Sequence, residues 1–294
     1  MEATLDCLEC IVAQALRAAR VATDDVDTQR RILNEVVVRI PAMDARKSPA
    51  ELSLAAYDIT RDLTGVEDPY RDLKRAQNTF ALKMEDELRA MVLASDAPLE
   101  TALHLSAAGN IIDLGVQHAE DVDVRGAIEQ VLRERFAVDH TDAFRESLAK
   151  AKDLLFLLDN AGEIVFDKIL IEELKKYATV TAVAKGGPMI NDVMMEDAEQ
   201  VGLTAVCDVV DNGGAFVGSP LGLVPASFLG RMRAADMIVG KGQGNYETVD
   251  VFDGDVFLIL RAKCEVIARH MGVKYGQVAL ISTRVRRGMA MSRR

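Results

Sequence analysis

The stretch "LLFLLDNAGEIVFDKILIEEL", residues 154–174, contains an apolar run, a polar turn and an amphipathic run in direct succession. The apolar run ends on two adjacent oxygen-bearing side chains, Asp159 and Asn160, and the amphipathic run begins just after Gly162. Packing alone does not explain why a buried strand would end on two polar side chains. A binding site for a hard cation or an anion at the carboxyl end of the strand would explain it. The turn therefore indicates both a strand-to-helix unit and a polar site at its edge.

From about residue 152 onward, short apolar runs alternate with amphipathic helical stretches. The runs are "LLFLL" (154–158), "VTAVA" (180–184), "TAVCDVV" (204–210), "MIVG" (237–240), "VFLIL" (256–260) and "VALIS" (278–282). Strands separated by helices of this length indicate a parallel sheet with right-handed crossovers. The predicted fold class is α/β, a three-layer α/β/α core with a mostly parallel sheet.

Residues 1–150 are predicted to form a helical N-terminal region. Apolar residues recur at spacings of three and four in stretches such as "CIVAQALRAARVA" and "FALKMEDELRAMVLA". Ser48, Pro49 and Glu51 form a helix start signal, with Ser48 as the cap. We predict that residues 151–294 form the α/β metal- and phosphate-binding core, and no Gly-, Ser- or Pro-rich linker separates the two regions.

Composition and charge limit the possible partners. The chain has 294 residues, of which 49% are hydrophobic, and its formal net charge is −11. That charge argues against a nucleic-acid or membrane-surface binder, but a local pocket can still bind a small phosphorylated molecule. No apolar run reaches the roughly 18 residues that a membrane span needs, and "MEATLDCLEC" does not resemble a signal sequence. We expect a cytoplasmic protein without structural disulfides and with an oligomeric state that the sequence leaves open.

Four polar clusters fall at the carboxyl ends of predicted strands, where ligands gather in an open parallel sheet. They are "DNAGE" (159–163), "AKGGPMINDV" (184–193), "VVDNGGAFVGSPLG" (209–222) and "VGKGQGNYETV" (239–249). Each cluster alone also fits an ordinary glycine-rich turn or a helix cap. Two acids, two lysines and several glycines at one sheet edge together indicate a metal-assisted phosphate site.

Asp159, Asn160 and Asp192 carry the oxygen donors that Mg²⁺ and similar ions prefer. Lys185 and Lys241 each follow a predicted strand and are candidate phosphate contacts. The further candidate substrate-binding residues are Asn191, the possible anion nest at Gly213 and Gly214, Asn245 and Glu247.

The segments "DNAGE", "KGGPMIND" and "GKGQGNYE" resemble motifs of the DUF89 family, the damage-control phosphatases with an acidic-residue-methyltransferase-like metal-binding domain. In the N-terminal half, "CLEC", "DPYRDLKRAQN" and "AAGNIIDLG" resemble stretches of the same family, particularly its prokaryotic branch that begins with Cys-x-x-Cys. The likeness covers nearly the whole chain. It implies hydrolysis of phosphate monoesters, such as sugar phosphates or damaged phosphometabolites, with Mg²⁺, Mn²⁺, Co²⁺ or Ni²⁺ held by Asp159, Asn160 and Asp192.

By position, the resemblance also implies that Lys241 contacts the substrate phosphate, which makes Asp159, Asp192 and Lys241 the predicted catalytic set. Asn78 and Asn110 lie in the family-like N-terminal stretches and could roof the pocket, although polar contacts between helices explain them nearly as well. Either a water molecule or the Asp159 carboxylate could be the nucleophile.

Two other functions remain open from the sequence. One is methyl transfer from S-adenosylmethionine to protein carboxylates, although the glycine pattern expected after the first strand is replaced by Asp159 and Asn160. The other is a non-catalytic, metal-dependent module that binds a phosphometabolite.

The cysteines suggest a second metal site as a minority hypothesis. Cys7 and Cys10 have the spacing of a zinc or redox pair, and Cys264 is a candidate third ligand. Simple packing on one turn of an amphipathic helix is the favoured explanation.

Overall fold

The structure, a computed structural model, describes residues 1–109 and 124–292. The helices before the sheet are α1 Leu5–Ala22, α2 Val26–Arg39, α3 Pro49–Thr64, α4 Arg71–Leu82, α5 Glu85–Leu93, α6 Pro98–Ala108, α7 Val124–Arg133 and α8 Thr141–Leu148. The predicted helical region is therefore confirmed within the described residues. Asn110, a predicted substrate-binding residue, lies outside them.

The remaining elements form the α/β part. The strands are β1 Asp153–Leu157, β2 Thr179–Ala184, β3 Asp208–Asp211, β4 Met237–Lys241, β5 Val256–Arg261 and β6 Val278–Ser282. The helices are α9 Glu163–Leu174, α10 Met195–Gln200, α11 Ala226–Ala234, α12 Gly242–Val249, α13 Glu265–Met271 and α14 Thr283–Ser292. All six apolar runs contain or overlap a strand, although "TAVCDVV" starts in the 3₁₀ turn Leu203–Ala205 and only its end is extended.

The six strands form one sheet in the order β3-β2-β1-β4-β5-β6. Every neighbouring pair is parallel except β5 and β6, which are antiparallel. The order reverses between β1 and β4, and at such a switch point the loops after the strands diverge and leave a crevice. The predicted mostly parallel sheet is confirmed, and its crevice lies directly beyond Asp159 and Lys241.

Two hydrophobic clusters cover the two faces of the sheet and produce the three layers. Phe156 and Phe257 belong to one cluster, whereas Leu157 and Leu258 belong to the other. Because both faces are covered, the strands are continuous apolar runs rather than alternating ones. The first cluster also contains Leu103 of α6, so the helical region and the sheet share a core. The division into two domains at residue 150 stays a prediction.

Helices α1 to α3 form a group with its own apolar cluster, and α3 packs against α12 at the carboxyl edge of the sheet. Helix α3 begins as predicted, because the Glu51 amide donates to Ser48 Oγ at 3.2 Å and the Ser48 amide donates to Glu51 Oε2 at 3.0 Å. This packing places the three helices beside the crevice.

Within the described ranges, no helix is both long enough and apolar enough to cross a bilayer.

Candidate functional site

The three predicted metal ligands lie together at the carboxyl end of β1. Asn160 and Asp192 form an isolated antiparallel bridge, and the Val193 amide donates to the Asp159 carbonyl at 2.8 Å. Backbone hydrogen bonds therefore hold Asp192 beside Asp159 and Asn160 without help from the side chains. Their role as metal ligands remains a prediction.

The two carboxyl groups are buried and repel each other. Burial raises the pKa of Asp159 well above its usual range, and the negative charges of Asp192 and Glu163 raise it further. Burial also raises the pKa of Asp192 to about 6, although Lys185 opposes the shift. Asp192 Oδ2 accepts no hydrogen bond from a described residue, and its ion pair with Lys185 Nζ, at 3.4 Å, is longer than a good charge-assisted hydrogen bond.

The charge balance of this region fits a divalent cation. Four buried carboxyl groups, those of Asp159, Glu163, Asp167 and Asp192, lie around the turn after β1 with two buried ammonium groups, those of Lys185 and Lys241, while the buried Glu247 lies elsewhere in the cleft lining. When all are ionised, four negative charges face two positive ones, which leaves an excess of two. Carboxylate and amide oxygens with excess negative charge are the surroundings that Mg²⁺ and related ions prefer. The donor set therefore fits a divalent metal.

Gly242 allows the Asp159 carboxylate to reach its position. Its φ of +77° is in the left-handed region, and a Cβ there would lie 1.8 Å from Asp159 Oδ2. The carboxylate thus lies directly against the first residue of α12, and only glycine fits both the conformation and the space.

Lys241 does not have the environment that a direct phosphate contact needs. Its side chain is fully buried, and Nζ donates to Glu163 Oε1, Asp167 Oδ1 and the Ser106 carbonyl, each at 2.7 Å. An ammonium group has three donors, so none remains for a substrate. Burial lowers the pKa of Lys241, but Asp167 and Glu163 outweigh that effect and the net shift is upward. This geometry does not fit the predicted contact between Lys241 and the substrate phosphate.

A cleft of about 1020 Å³ opens between the helical group and the sheet edge, with Asp159, Asn160 and Asp192 in its lining. Of the other predicted residues, Asn191 and Glu247 also line it. Burial raises the pKa of Glu247 to about 7.

Three predicted residues lie close to this cleft without lining it. Lys185 is buried and donates to the Gly218 carbonyl at 2.9 Å while pairing with Asp192. Asn78 Oδ1 accepts a hydrogen bond from the Gly162 amide at 2.7 Å, and Asn245 Nδ2 donates to the Lys241 carbonyl at 2.8 Å. These contacts hold the turn after β1 and the start of α12, which does not fit the predicted contact of Asn78 and Asn245 with a substrate.

The candidate anion nest is filled by the protein itself. The Gly213 amide donates to Asp211 Oδ1 at 2.8 Å, and the Gly214 amide donates to Asn212 Oδ1 at 3.3 Å. Neither glycine lines the cleft. The predicted role of Gly213 and Gly214 in substrate binding therefore does not fit this structure.

Lys263 is a cleft residue that sequence reasoning missed. It lies just beyond β5, it is exposed, and it lines the cleft. Its positive charge favours the ionised forms of both Asp159 and Asp192, and so acts to lower their pKa values against the effect of burial. The available signal was weak, since Lys263 comes three residues after the end of the fifth apolar run, whereas Lys241 follows the fourth run directly.

Comparison with known proteins identifies the family. A family model described as the damage-control phosphatase ARMT1-like domain matches residues 3–278. The chain belongs to this family. A damage-control phosphatase from Pyrococcus horikoshii is 31% identical over 281 residues, which cover 94% of this chain and 96% of that protein. A damage-control phosphatase from Archaeoglobus fulgidus is 31% identical over 280 residues, with 92% and 96% covered.

The solved structures agree with this assignment. The crystal structure of a DUF89 family protein from Pyrococcus horikoshii has a TM-score of 0.87 and 29% identity, and the match covers 96% of this chain and 99% of that one. The predicted family is thus confirmed, whereas the Cys-x-x-Cys branch stays a prediction.

The cysteine hypothesis gains no support from the geometry. Cys7, Cys10 and Cys264 are free thiols that line the cleft. Among residues 1–109 and 124–292, no group of three His, Cys, Asp or Glu side chains is arranged to hold a metal ion. The candidate metal site at Asp159 and Asp192 therefore needs the Asn160 amide as its third ligand.

Replacing Gly242 by alanine should displace the Asp159 carboxylate. We expect the unfolding free energy in urea to fall by at least about 2 kcal/mol, and Mn²⁺ binding measured by calorimetry to weaken. Gly222→Ala is the matched control, because a Cβ at Gly222 meets nothing within 4 Å. A Gly242→Ala protein with unchanged stability and Mn²⁺ affinity would contradict the assigned contact.

The variant Lys241→Met should unfold more easily, because it leaves Glu163 and Asp167 buried without a counter-charge. We expect a loss of about 3–5 kcal/mol in urea unfolding and partial recovery when Asp167→Asn is added. Lys263→Met is the control and should keep the wild-type stability. Unchanged stability of Lys241→Met with a raised KM would instead favour a direct substrate contact.

Proposed function

We propose that this protein is a metal-dependent phosphatase that hydrolyses phosphate monoesters of small metabolites in the cytoplasm, such as sugar phosphates or damaged phosphometabolites. The observation that carries the proposal is the buried group of Asp159, Asn160 and Asp192 at the base of a large cleft. The names of the relatives from Pyrococcus horikoshii and Archaeoglobus fulgidus support the phosphatase activity. No observation favours the methyltransferase or the non-catalytic module.

Asp159, Asn160 and Asp192 would hold the divalent cation. When bound, Mg²⁺, Mn²⁺, Co²⁺ or Ni²⁺ would neutralise phosphoryl charge and polarise a phosphoryl oxygen. Asn160 Nδ2 donates to Asp159 Oδ2 at 2.8 Å, so Oδ1 is the atom that Asn160 would present as a ligand. Glu163 Oε2, at 3.4 Å from the same Nδ2, helps to keep the amide in this orientation.

Lys263 would bind the substrate phosphate from the cleft side. Phosphoryl transfer requires positioning and charge neutralisation more than covalent participation by the protein. Lys263 has an exposed ammonium group near both carboxylates of the base, and it can donate to non-bridging phosphate oxygens. Gln243 and Gly244, in the first turn of α12, line the same cleft, and the N-terminus of this helix adds partial positive charge.

The buried network of Lys241, Glu163 and Asp167 would act by positioning. It links the end of β4 to the first turns of α9, and Glu163 connects it to Asn160. A residue in this network affects the reaction only through the side chains that it holds in place.

Removing either carboxylate should abolish activity. In Asp159→Asn and Asp192→Asn, we expect phosphate release from a broad panel of phosphometabolites to fall at least about 100-fold in the presence of Mn²⁺, Co²⁺ or Ni²⁺. EDTA should have the same effect on the wild type. Asp208→Asn, at the exposed start of β3, is the control that should remain active. Full activity of Asp159→Asn would refute the proposed metal role.

The variant Lys263→Gln should separate phosphate binding from metal binding. We expect KM to rise about 10-fold or more, since a charge-assisted hydrogen bond to the phosphate is lost. Mn²⁺ affinity should stay equal or increase, because a nearby positive charge is removed. Lys274→Gln, at an exposed position that does not line the cleft, is the control and should leave both quantities unchanged. An unchanged KM in Lys263→Gln would assign the phosphate contact elsewhere.

A further inference from the structure

Two arginines on α1 line the cleft away from its base. Arg17 and Arg20 are three residues apart, so they are neighbours on one helix face, and both are exposed in the cleft. Like charges at this spacing destabilise a helix slightly. Neither arginine forms an ion pair or a hydrogen bond with a described residue. This arrangement has a small cost and no compensating contact within the described protein.

Exposed basic side chains without an ion pair also occur elsewhere in the described part of the chain, as at Arg30, so the position of Arg17 and Arg20 in the cleft is what distinguishes them. The chain contains 46 acidic and 35 basic residues, so carboxylates are in excess. Arg269, which also lines the cleft, does have such a partner, since its Nη2 lies 3.0 Å from Asp6 Oδ2. Arg17 and Arg20 therefore leave a local positive charge facing the cleft of an acidic protein, which attracts anionic ligands.

Arg17 lines the same cleft as Tyr57 and Asp192. Its charge favours the ionised forms of Tyr57 and Tyr70, although burial dominates and raises the pKa of both hydroxyl groups. Tyr57 also feels the charge of Asp192, so it lies within electrostatic range of both the base and Arg17. A ligand that extends along the cleft past Tyr57 can therefore contact both Arg17 and the group of Asp159, Asn160 and Asp192.

The size of the cleft agrees with an extended ligand. Its volume of about 1020 Å³ is at the upper end of the roughly 300–1,000 Å³ that small-molecule pockets occupy. One phosphate group at the base fills only a small part of this space. The remainder can hold a carbon chain or ring whose far end meets Arg17.

We propose that Arg17, assisted by Arg20, binds a second anionic group of the substrate, so that the preferred substrates are phosphate monoesters that also carry a carboxylate or a second phosphate. This inference rests on the proposed phosphatase function for the group bound at the base. A guanidinium group has the planar fork of donors that pairs with both carboxylate and phosphate oxygens. Lys263 and the metal ligands receive the scissile phosphate, and Arg17 receives the other charge.

Two pairs of substrates test the proposal. Glucose 6-phosphate and 6-phosphogluconate differ in a carboxylate, and fructose 6-phosphate and fructose 1,6-bisphosphate differ in a phosphate. With Mn²⁺ present, the wild type should have at least about 10-fold higher kcat/KM for the doubly anionic member of at least one pair. Arg17→Gln should remove most of this preference through KM and change the singly anionic substrates less than about 3-fold. Arg20→Gln should have a smaller effect in the same direction.

Arg30→Gln is the charge-matched control, because Arg30 is exposed on α2 and does not line the cleft. It should keep the preference of the wild type. The proposal is overturned if the wild type has no preference in either pair, or if Arg17→Gln lowers kcat/KM equally for both members.

A binding measurement separates this proposal from the phosphatase function. If no substrate releases phosphate, the proposed function fails, and calorimetry with 6-phosphogluconate and glucose 6-phosphate then decides the role of Arg17. Tighter binding of 6-phosphogluconate by the wild type, lost in Arg17→Gln, supports the anion site. Equal binding of the two compounds, or no binding of either, overturns it.

Discussion

The site depends on a backbone constraint that forces two acidic side chains together. The Asn160–Asp192 bridge and the hydrogen bond from the Val193 amide to the Asp159 carbonyl fix the two carboxyl groups side by side in a buried place. Because the main chain makes these bonds, the two residues stay adjacent even though their carboxyl groups repel each other. Burial of two like charges is unfavourable unless a cation or a proton compensates them. The fold therefore favours the binding of a cation or a proton between these two carboxyl groups.

The N-terminal helices support that constraint. Asp197, at the start of α10, accepts a hydrogen bond from the Met194 amide at 2.9 Å and forms an ion pair with Lys74 of α4 at 3.3 Å. Asn78, one turn further along α4, donates to Asp197 Oδ1 at 2.9 Å and accepts from the Gly162 amide. Helix α4 therefore holds both polar segments of the base. The helical region is part of the site's framework as well as a wall of its cleft.

The fold was predictable from the sequence because the sheet is covered on both faces, so each strand is a continuous apolar run that stands out between amphipathic helices. The proximity of Asp159, Asn160 and Asp192 was predictable because the first two directly follow the first apolar run, Asp192 lies in the loop after the second, and the carboxyl ends of the two strands meet at one edge. The direction of a side chain beyond a strand was not predictable. Lys241 has the position of a phosphate ligand, but Glu163 and Asp167, from a different element, draw it under the sheet edge.

Lys263 and Arg17 were not predicted because the sequence around each of them is typical of ordinary surface residues. Lys263 is followed by Cys264, which caps α13, so the sequence there is typical of a helix start. Arg17 is an exposed charged residue on an amphipathic helix, and most such residues face only solvent. Its significance depends on α1 and α13 lining the same cleft, which is information about tertiary structure that no local pattern contains.

The cationic side chains of this site differ in burial, and this difference determines what each of them can do. A lysine such as Lys241 that is fully buried and donates all three hydrogens cannot exchange a partner for a substrate without leaving a carboxylate uncompensated, so its contribution is limited to positioning. Lys185 is also buried, and its ion pair with Asp192 opposes the rise in the pKa of that carboxyl group. Lys263 and Arg17 are exposed to the cleft, so binding a ligand leaves no buried carboxylate uncompensated, which is the property that reversible binding of an anionic substrate requires. The buried cations thus belong to the framework of the site, and the exposed cations are the ones that can bind the ligand.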